Sequence, residues 1–221
     1  MKNKTFENFE IILLVLCPLM ILAGGVQKGD NPWAIVCSIL TITYTLLAGK
    51  GLIYCYPFGI LGTLICGIVS FNIGLIGNAL LHILYYFPIE IYGFFNWKKN
   101  LKKNSNEIIK EKMENKKRLI LGILTCILIL ILSLLFKILK NPCPILDSTL
   151  TSLSIVGMFL CVKRYMEQWA VWTIVNIISI FMWFEVFTKG EGVFSIFIVR
   201  VIYLFLGIYF YIRWRKELKN D

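Results

Sequence analysis

RLILGILTCILILILSLLFKIL, residues 118–139, decides the fold. It carries no acidic residue, and its bases, Arg118 and Lys137, stand near its ends. About 20 mostly apolar residues in a helix cross a hydrocarbon core, so this run reads as a membrane span. Working outward, runs of similar character lie at 9–26, 33–49, 52–71 and 76–97 before it, and at 146–162, 168–187 and 193–212 after it. The cuts fall at Gly29-Asp30-Asn31-Pro32, Gly49-Lys50-Gly51, Asn72 to Gly77, the charged stretch 98–118, Asn141-Pro142-Cys143-Pro144, Lys163-Arg164 and Lys189-Gly190-Glu191-Gly192. The whole chain agrees: 58% hydrophobic and 16% charged, with a mean hydropathy of +0.75, is too apolar for a water-soluble domain of 221 residues.

A pI near 9.3 and a net charge of +10 raise nucleic acid as a partner. That would need basic residues gathered on a solvated domain, and here they sit in short loops between apolar runs, so a lipid bilayer is the expected surrounding. Lys and Arg in short loops concentrate on the cytoplasmic side. With eight spans, eighteen of them fall on one side and four on the other, while Arg200 lies within the last span. A miscounted span would mix these sets, so both termini are predicted to be cytoplasmic. Lys2 and Lys4 ahead of a run ending Ala23-Gly24-Gly25 also fit a signal peptide, but no clear A-x-A site follows, and a retained first helix is expected. The seven cysteines show no C-x-x-C spacing; neither a zinc site nor a disulfide framework is indicated, and they read as small packing residues.

The fourth run ends IYGFFNW (Ile91 to Trp97) and the eighth ends with IYFYIRW (Ile208 to Trp214); at the same offset Tyr86 falls on Tyr203. Each is the last of three runs, and the fifth separates the two sets. The predicted fold is therefore all-α and integral to the membrane, with about eight transmembrane helices. It comprises an N-terminal helix (1–32), a first three-helix repeat (33–97), a basic cytoplasmic loop with a linker helix (98–139), and a second repeat with a basic tail (140–221). An odd linker makes the two repeats parallel, the 3+1+3 arrangement of SWEET transporters. Chance likeness of aromatic helix ends at the interface is the competing explanation.

Trp169, Trp172, Asn176 and Trp183 fall within about 60° of one another at 100° per residue. Two indoles a turn apart offer a stacking surface for a flat ring, worth roughly 1–3 kcal/mol per ring in other proteins, and a cationic ring gains a cation–π term. Asn176 adds a donor and an acceptor. The bland alternative is an interfacial belt of tryptophans with Asn176 bonding a neighbouring helix. A second stripe joins His82, Tyr86, Glu90, Gly93 and Trp97. A carboxylate at the bilayer centre costs roughly 3 kcal/mol on insertion scales, so Glu90 must face a cavity or a partner: a cationic substrate, a proton, or Arg200. Arg200 shares a stripe with Tyr203 and Gly207. With one histidine in the chain, a metal centre is not expected, and no cofactor is called for. An integral-membrane enzyme is a rival class, but all three aspartates lie in loops or the tail and no H-E-x-x-H or nucleophile elbow occurs. An accessory subunit is a third.

EQWAVWTIVNIISIFMW (Glu167 to Trp183), with its W-x-x-W-x-x-x-N pattern at Trp169, Trp172 and Asn176, resembles the PnuC family of bacterial vitamin transporters, typified by nicotinamide riboside transporters. The stretch Ala48 to Trp97 is similar to the family's first repeat, and the likeness runs over roughly 33–214. The resemblance implies a transporter rather than an enzyme, in the bacterial inner membrane, passing an unphosphorylated vitamin precursor by facilitated diffusion. A cytoplasmic kinase would then trap the product. Substrate contacts are implied at Trp169, Trp172 and Asn176, and the stripes and the repeat add Glu90, Tyr86, Tyr203 and Trp183 as candidates. Family members tend to have Gln where Glu90 stands and Asn where Leu206 stands. Relatives of the same architecture take thiamine, riboflavin or deoxynucleosides. The oligomeric state, a homo-oligomer included, stays open.

Overall fold

A helix satisfies its own backbone polar groups, which is why apolar runs of this length fold as helices in lipid. In the computed structural model, which describes residues 8–72, 76–188 and 194–220, every such run is helical. The helices are α1 (Asn8–Lys28), α2 (Pro32–Lys50), α3 (Cys55–Asn72), α4 (Ile76–Leu80), α5 (Phe87–Lys98), α6 (Asn115–Ile138), α7 (Pro144–Val162), α8 (Glu167–Thr188) and α9 (Phe194–Asn220), with a π-helical turn, Leu81–Tyr86, joining α4 to α5. Six of them, α1, α2, α3, α6, α7 and α9, are long and apolar enough to cross a membrane. Local signals set the ends. The Asn31 side chain accepts the Trp33 N–H at 2.9 Å and caps α2 behind Pro32. Gly51, at φ +79°, stops α2 in the left-handed conformation that glycine adopts without strain.

The single helix expected over 76–97 is instead a segmented rod. Pro88 has no N–H to give, and the Phe87 N–H reaches back five residues to the His82 carbonyl, which widens the turn. The extra residue re-aims the faces on either side of it.

Packing follows chain order, α2 on α3, α3 on the rod, and α7 on α8 on α9, with two cross-contacts: α2 against α9, and α5 against α7. α6 packs on α7 and buries no residue, so its leucines and isoleucines face outward as a lipid surface. α1 packs on α2 and α9. Its buried Glu10 meets Lys50 at 2.9 Å and Arg213, so a charge in an apolar helix is matched by two cations. At the centre lie Tyr56, Trp97, Phe210 and Trp214, all essentially inaccessible. The Trp97 indole donates to the Cys161 carbonyl at 3.1 Å, and the Trp214 indole donates to the Gly49 carbonyl at 2.7 Å. One reading of the cysteines is corrected: Cys37 and Cys66 form a disulfide between α2 and α3. Gly62 of α3 faces Thr41 and Leu40 of α2, and this close approach leaves the two Cα atoms 5.8 Å apart.

The Lys-rich stretch between α5 and α6 is ordered as a strap. Ile108 N–H donates to the Gly51 carbonyl (2.9 Å) and Ile53 N–H to that of Asn106 (3.1 Å). Further along, Glu111 N–H donates to the Arg164 carbonyl (3.0 Å) and Met166 N–H to that of Glu111 (2.9 Å). The strap thus joins the turn after α2 to the turn after α7. Its anchor is Lys110, with a side chain only 4% exposed, paired with Glu107 and Glu217 and lying 5.1 Å from the Trp214 ring centre. Lys110→Ala should cost about 2 kcal/mol, because two half-buried carboxylates lose their cation. Thermal melts of the purified protein should then fall by about 4–8 °C; an unchanged melt would remove Lys110 as the anchor.

Candidate functional site

α8 begins after a turn in which Arg164 has φ +62° and Met166 N–H is held by the strap, and this fixes which way its first turns face. Trp169 and Trp172, expected on one stacking face, lie in different seams. Trp169 is buried against α9, with its ring 5.0 Å from Phe210 and 5.8 Å from Trp214. Trp172 lies over Gly157 of α7, where a Cβ would stand 2.9 Å from the indole Cε2. A 60° separation on the wheel is enough to send two long side chains to different neighbours. Asn176 is 2% exposed; its Nδ2 donates to the Trp172 carbonyl at 2.8 Å, and its Oδ1 has no hydrogen-bond partner among the described residues. The Trp169 Nε1 is likewise buried without an acceptor.

The second stripe also divides. Tyr86, in the π turn, lies beside Ser154 of α7 and packs edge-on against His82 at 5.1 Å. Tyr85, next to it, donates to the Ile155 carbonyl at 2.7 Å. Glu90, one turn on, faces α3: it lies beside Thr63, and Gly59 leaves room for its Oε1. Glu90 is 3% exposed, its Oε2 has no partner, and no ion pair to it exists among the described residues, so the pairing with Arg200 weighed from sequence is not made. Trp97 serves the α5–α7 contact described above. On α9, Tyr203 lies beside Thr41 and Thr45 of α2. The side chains of Trp183 and Glu185 lie outside the described residues.

Four groups went unnoticed in the sequence because they sit singly inside apolar runs: Thr41, Tyr44, Ser154 and Cys161. Ser154, Gly157 and Cys161 recur at one-turn spacing on α7 and receive Tyr86, Trp172 and the Tyr44 hydroxyl (3.3 Å from the Cys161 sulfur) respectively. That spacing of small residues was the available signal. The face of α7 is where the rod and α8 both bring their aromatic groups. An aromatic ring, amide oxygen and carboxylate with unspent hydrogen-bonding capacity, held within an apolar bundle, suit a flat molecule carrying polar edges.

Comparison with known proteins gives this arrangement a family. Residues 31–216 match the family model described as nicotinamide mononucleotide transporter. The nicotinamide riboside transporter PnuC of Neisseria mucosa is 30% identical over 221 residues, covering 97% of this chain and 84% of the relative. The nicotinamide riboside transporter PnuC of Haemophilus influenzae is 26% identical, covering 97% and 93%. A crystal structure of the vitamin B3 transporter PnuC superposes with a TM-score of 0.86 at 28% identity, over 97% of this chain and 94% of that one. With the family model matched over most of the chain's length and the fold shared along nearly the whole of it, the chain belongs to the PnuC family of membrane transporters.

Proposed function

We propose that this protein carries nicotinamide riboside across the bacterial inner membrane by facilitated diffusion, with both termini in the cytoplasm and a cytoplasmic kinase trapping the product. The observation that carries the reading is the 30% identity to a nicotinamide riboside transporter over nearly the whole chain, together with the buried, partnerless Asn176 Oδ1 one turn from Trp172. An unpaired buried acceptor costs about 1–3 kcal/mol, and a ligand carboxamide or hydroxyl would offset it. Trp169, Trp172, Asn176, Tyr86, Tyr203, Trp183 and Glu90 are the proposed substrate contacts.

The proposed architecture is a parallel 3+1+3 repeat of the SWEET type, with halves over 33–97 and 140–221 and α6 as linker. Matched contacts support it. Tyr86 meets Ser154 as Tyr203 meets Thr41, and the Trp97 indole reaches the end of α7 as that of Trp214 reaches the end of α2. The paired contacts α5 with α7 and α9 with α2 have the same relation. In such repeats the substrate lies between the halves near the midplane. Proteoliposomes containing the protein should accumulate labelled nicotinamide riboside only when loaded with a kinase and ATP, and should equilibrate it otherwise. Uptake of thiamine or riboflavin with no response to nicotinamide riboside would replace the substrate; accumulation without the kinase would replace facilitated diffusion.

A further inference from the structure

Resting on the transport reading, we infer that Glu90 makes the site select for positive charge, so that an organic cation is preferred to a neutral molecule of the same shape. The carboxylate is 3% exposed, yet no charged group pairs with it among the described residues. The Thr63 hydroxyl lies beside it, and Gly59 leaves room for its Oε1. Its Oε2 has no hydrogen-bond partner among the described residues. The titratable groups around it among the described residues, Tyr44, Cys55, Tyr56, Tyr86 and Cys161, offer hydroxyls and thiols and no cation. Arg200 stands by His82, Tyr86 and Tyr203 and makes no ion pair with Glu90 among the described residues.

Elsewhere in the same bundle a buried carboxylate is treated differently: Glu10 is matched by Lys50 and Arg213. Glu90 has no such cations, so a countercharge must be brought to it or its ionised form is lost. A glutamine would fill the same volume. What the acid adds is the charge. The surrounding rings act in the same sense: Tyr56 packs edge-on to Tyr44 (centres 6.3 Å apart) and to Trp97 (5.1 Å), and aromatic faces attract cations. Along α7, the Cys161 that Tyr44 touches lies one turn from the Gly157 beneath Trp172, so a ring held at Trp172 is within a short molecule's length of this charge.

The test compares binding of nicotinamide riboside, a pyridinium cation, with that of its neutral dihydro form to the full-length protein by calorimetry. The wild type should prefer the cation by about tenfold or more, and Glu90→Gln should reduce the preference to within about threefold. Glu90→Asp, which keeps the charge, should retain its direction. An undiminished preference in Glu90→Gln overturns the inference, as does a wild type that binds both forms equally, the transport reading then still standing. Binding that is equal for both forms but raised by sodium or potassium would give Glu90 to an inorganic cation, again overturning it. A wild type that binds neither form overturns the transport reading and this inference with it.

Discussion

Trp172→Ala is expected to lower nicotinamide riboside uptake by about tenfold to a hundredfold, which corresponds to losing about 1.4–2.8 kcal/mol of stacking. Trp172 rests on Gly157, where no side chain intervenes, so its ring plane is set by backbone packing and needs no ligand to order it. Truncation removes the platform while leaving Asn176 held by its bond to the residue 172 carbonyl, which alanine retains. Trp172→Phe should keep a smaller platform and recover much of the loss. The check is initial uptake into proteoliposomes alongside a thermal melt of each variant. Wild-type uptake in a well-folded Trp172→Ala protein would remove this residue from the site. Asn176→Ala should lose a comparable factor for a different reason, the missing amide, and Asn176→Asp should separate its acceptor role from its donor role.

Gly49→Ala should be still more damaging, and to the fold rather than to binding. A Cβ at Gly49 would overlap the ring of Phe210, which is 1% exposed and wedged between Trp169 and Tyr209. The ring has no space to yield. The same glycine's carbonyl accepts the Trp214 indole, so moving the backbone instead breaks a buried hydrogen bond. Overpacking and the lost bond together should cost about 3–5 kcal/mol, a drop of about 10 °C or more in the thermal midpoint, with much of the protein aggregated on size-exclusion chromatography. Gly49→Ala combined with Phe210→Leu should recover part of this, since the two changes share one contact. A single variant that melts like the wild type would show that α2 and α9 do not meet this closely.

Glu10 and Glu90 illustrate how much of the interior can be read in advance. Both are acids within apolar runs, and both are costly wherever the bundle buries them. Sequence marks Glu90 as needing a partner and names Arg200 among the choices. Only packing distinguishes the two acids, one surrounded by cations from α2 and α9, the other by hydroxyls and thiols from α2, α3 and α7. Partners on other helices are set by rotation and tilt, which hydropathy does not encode.

The tryptophans make the same point in reverse. Their wheel positions place Trp169 and Trp172 close together, and their surroundings part them, one toward α9 and the other toward α7. The π turn is intermediate: Pro88 announces a break, but the choice of a wide turn over a kink depends on the neighbours that Tyr85 and Tyr86 reach.

By itself, the chain's pattern of apolar runs and breakers determined the helices and where most of them begin, because backbone bonding and lipid solvation act locally along the sequence. Its aromatic and polar stripes were enough to nominate a site. The tertiary structure alone decided which members of those stripes meet, that residues 99–114 close as a strap, and that Glu90 is left without a countercharge. Those outcomes depend on contacts between residues far apart in the chain, where a glycine such as Gly49 or Gly157 determines how near two helices come and hence which side chains touch.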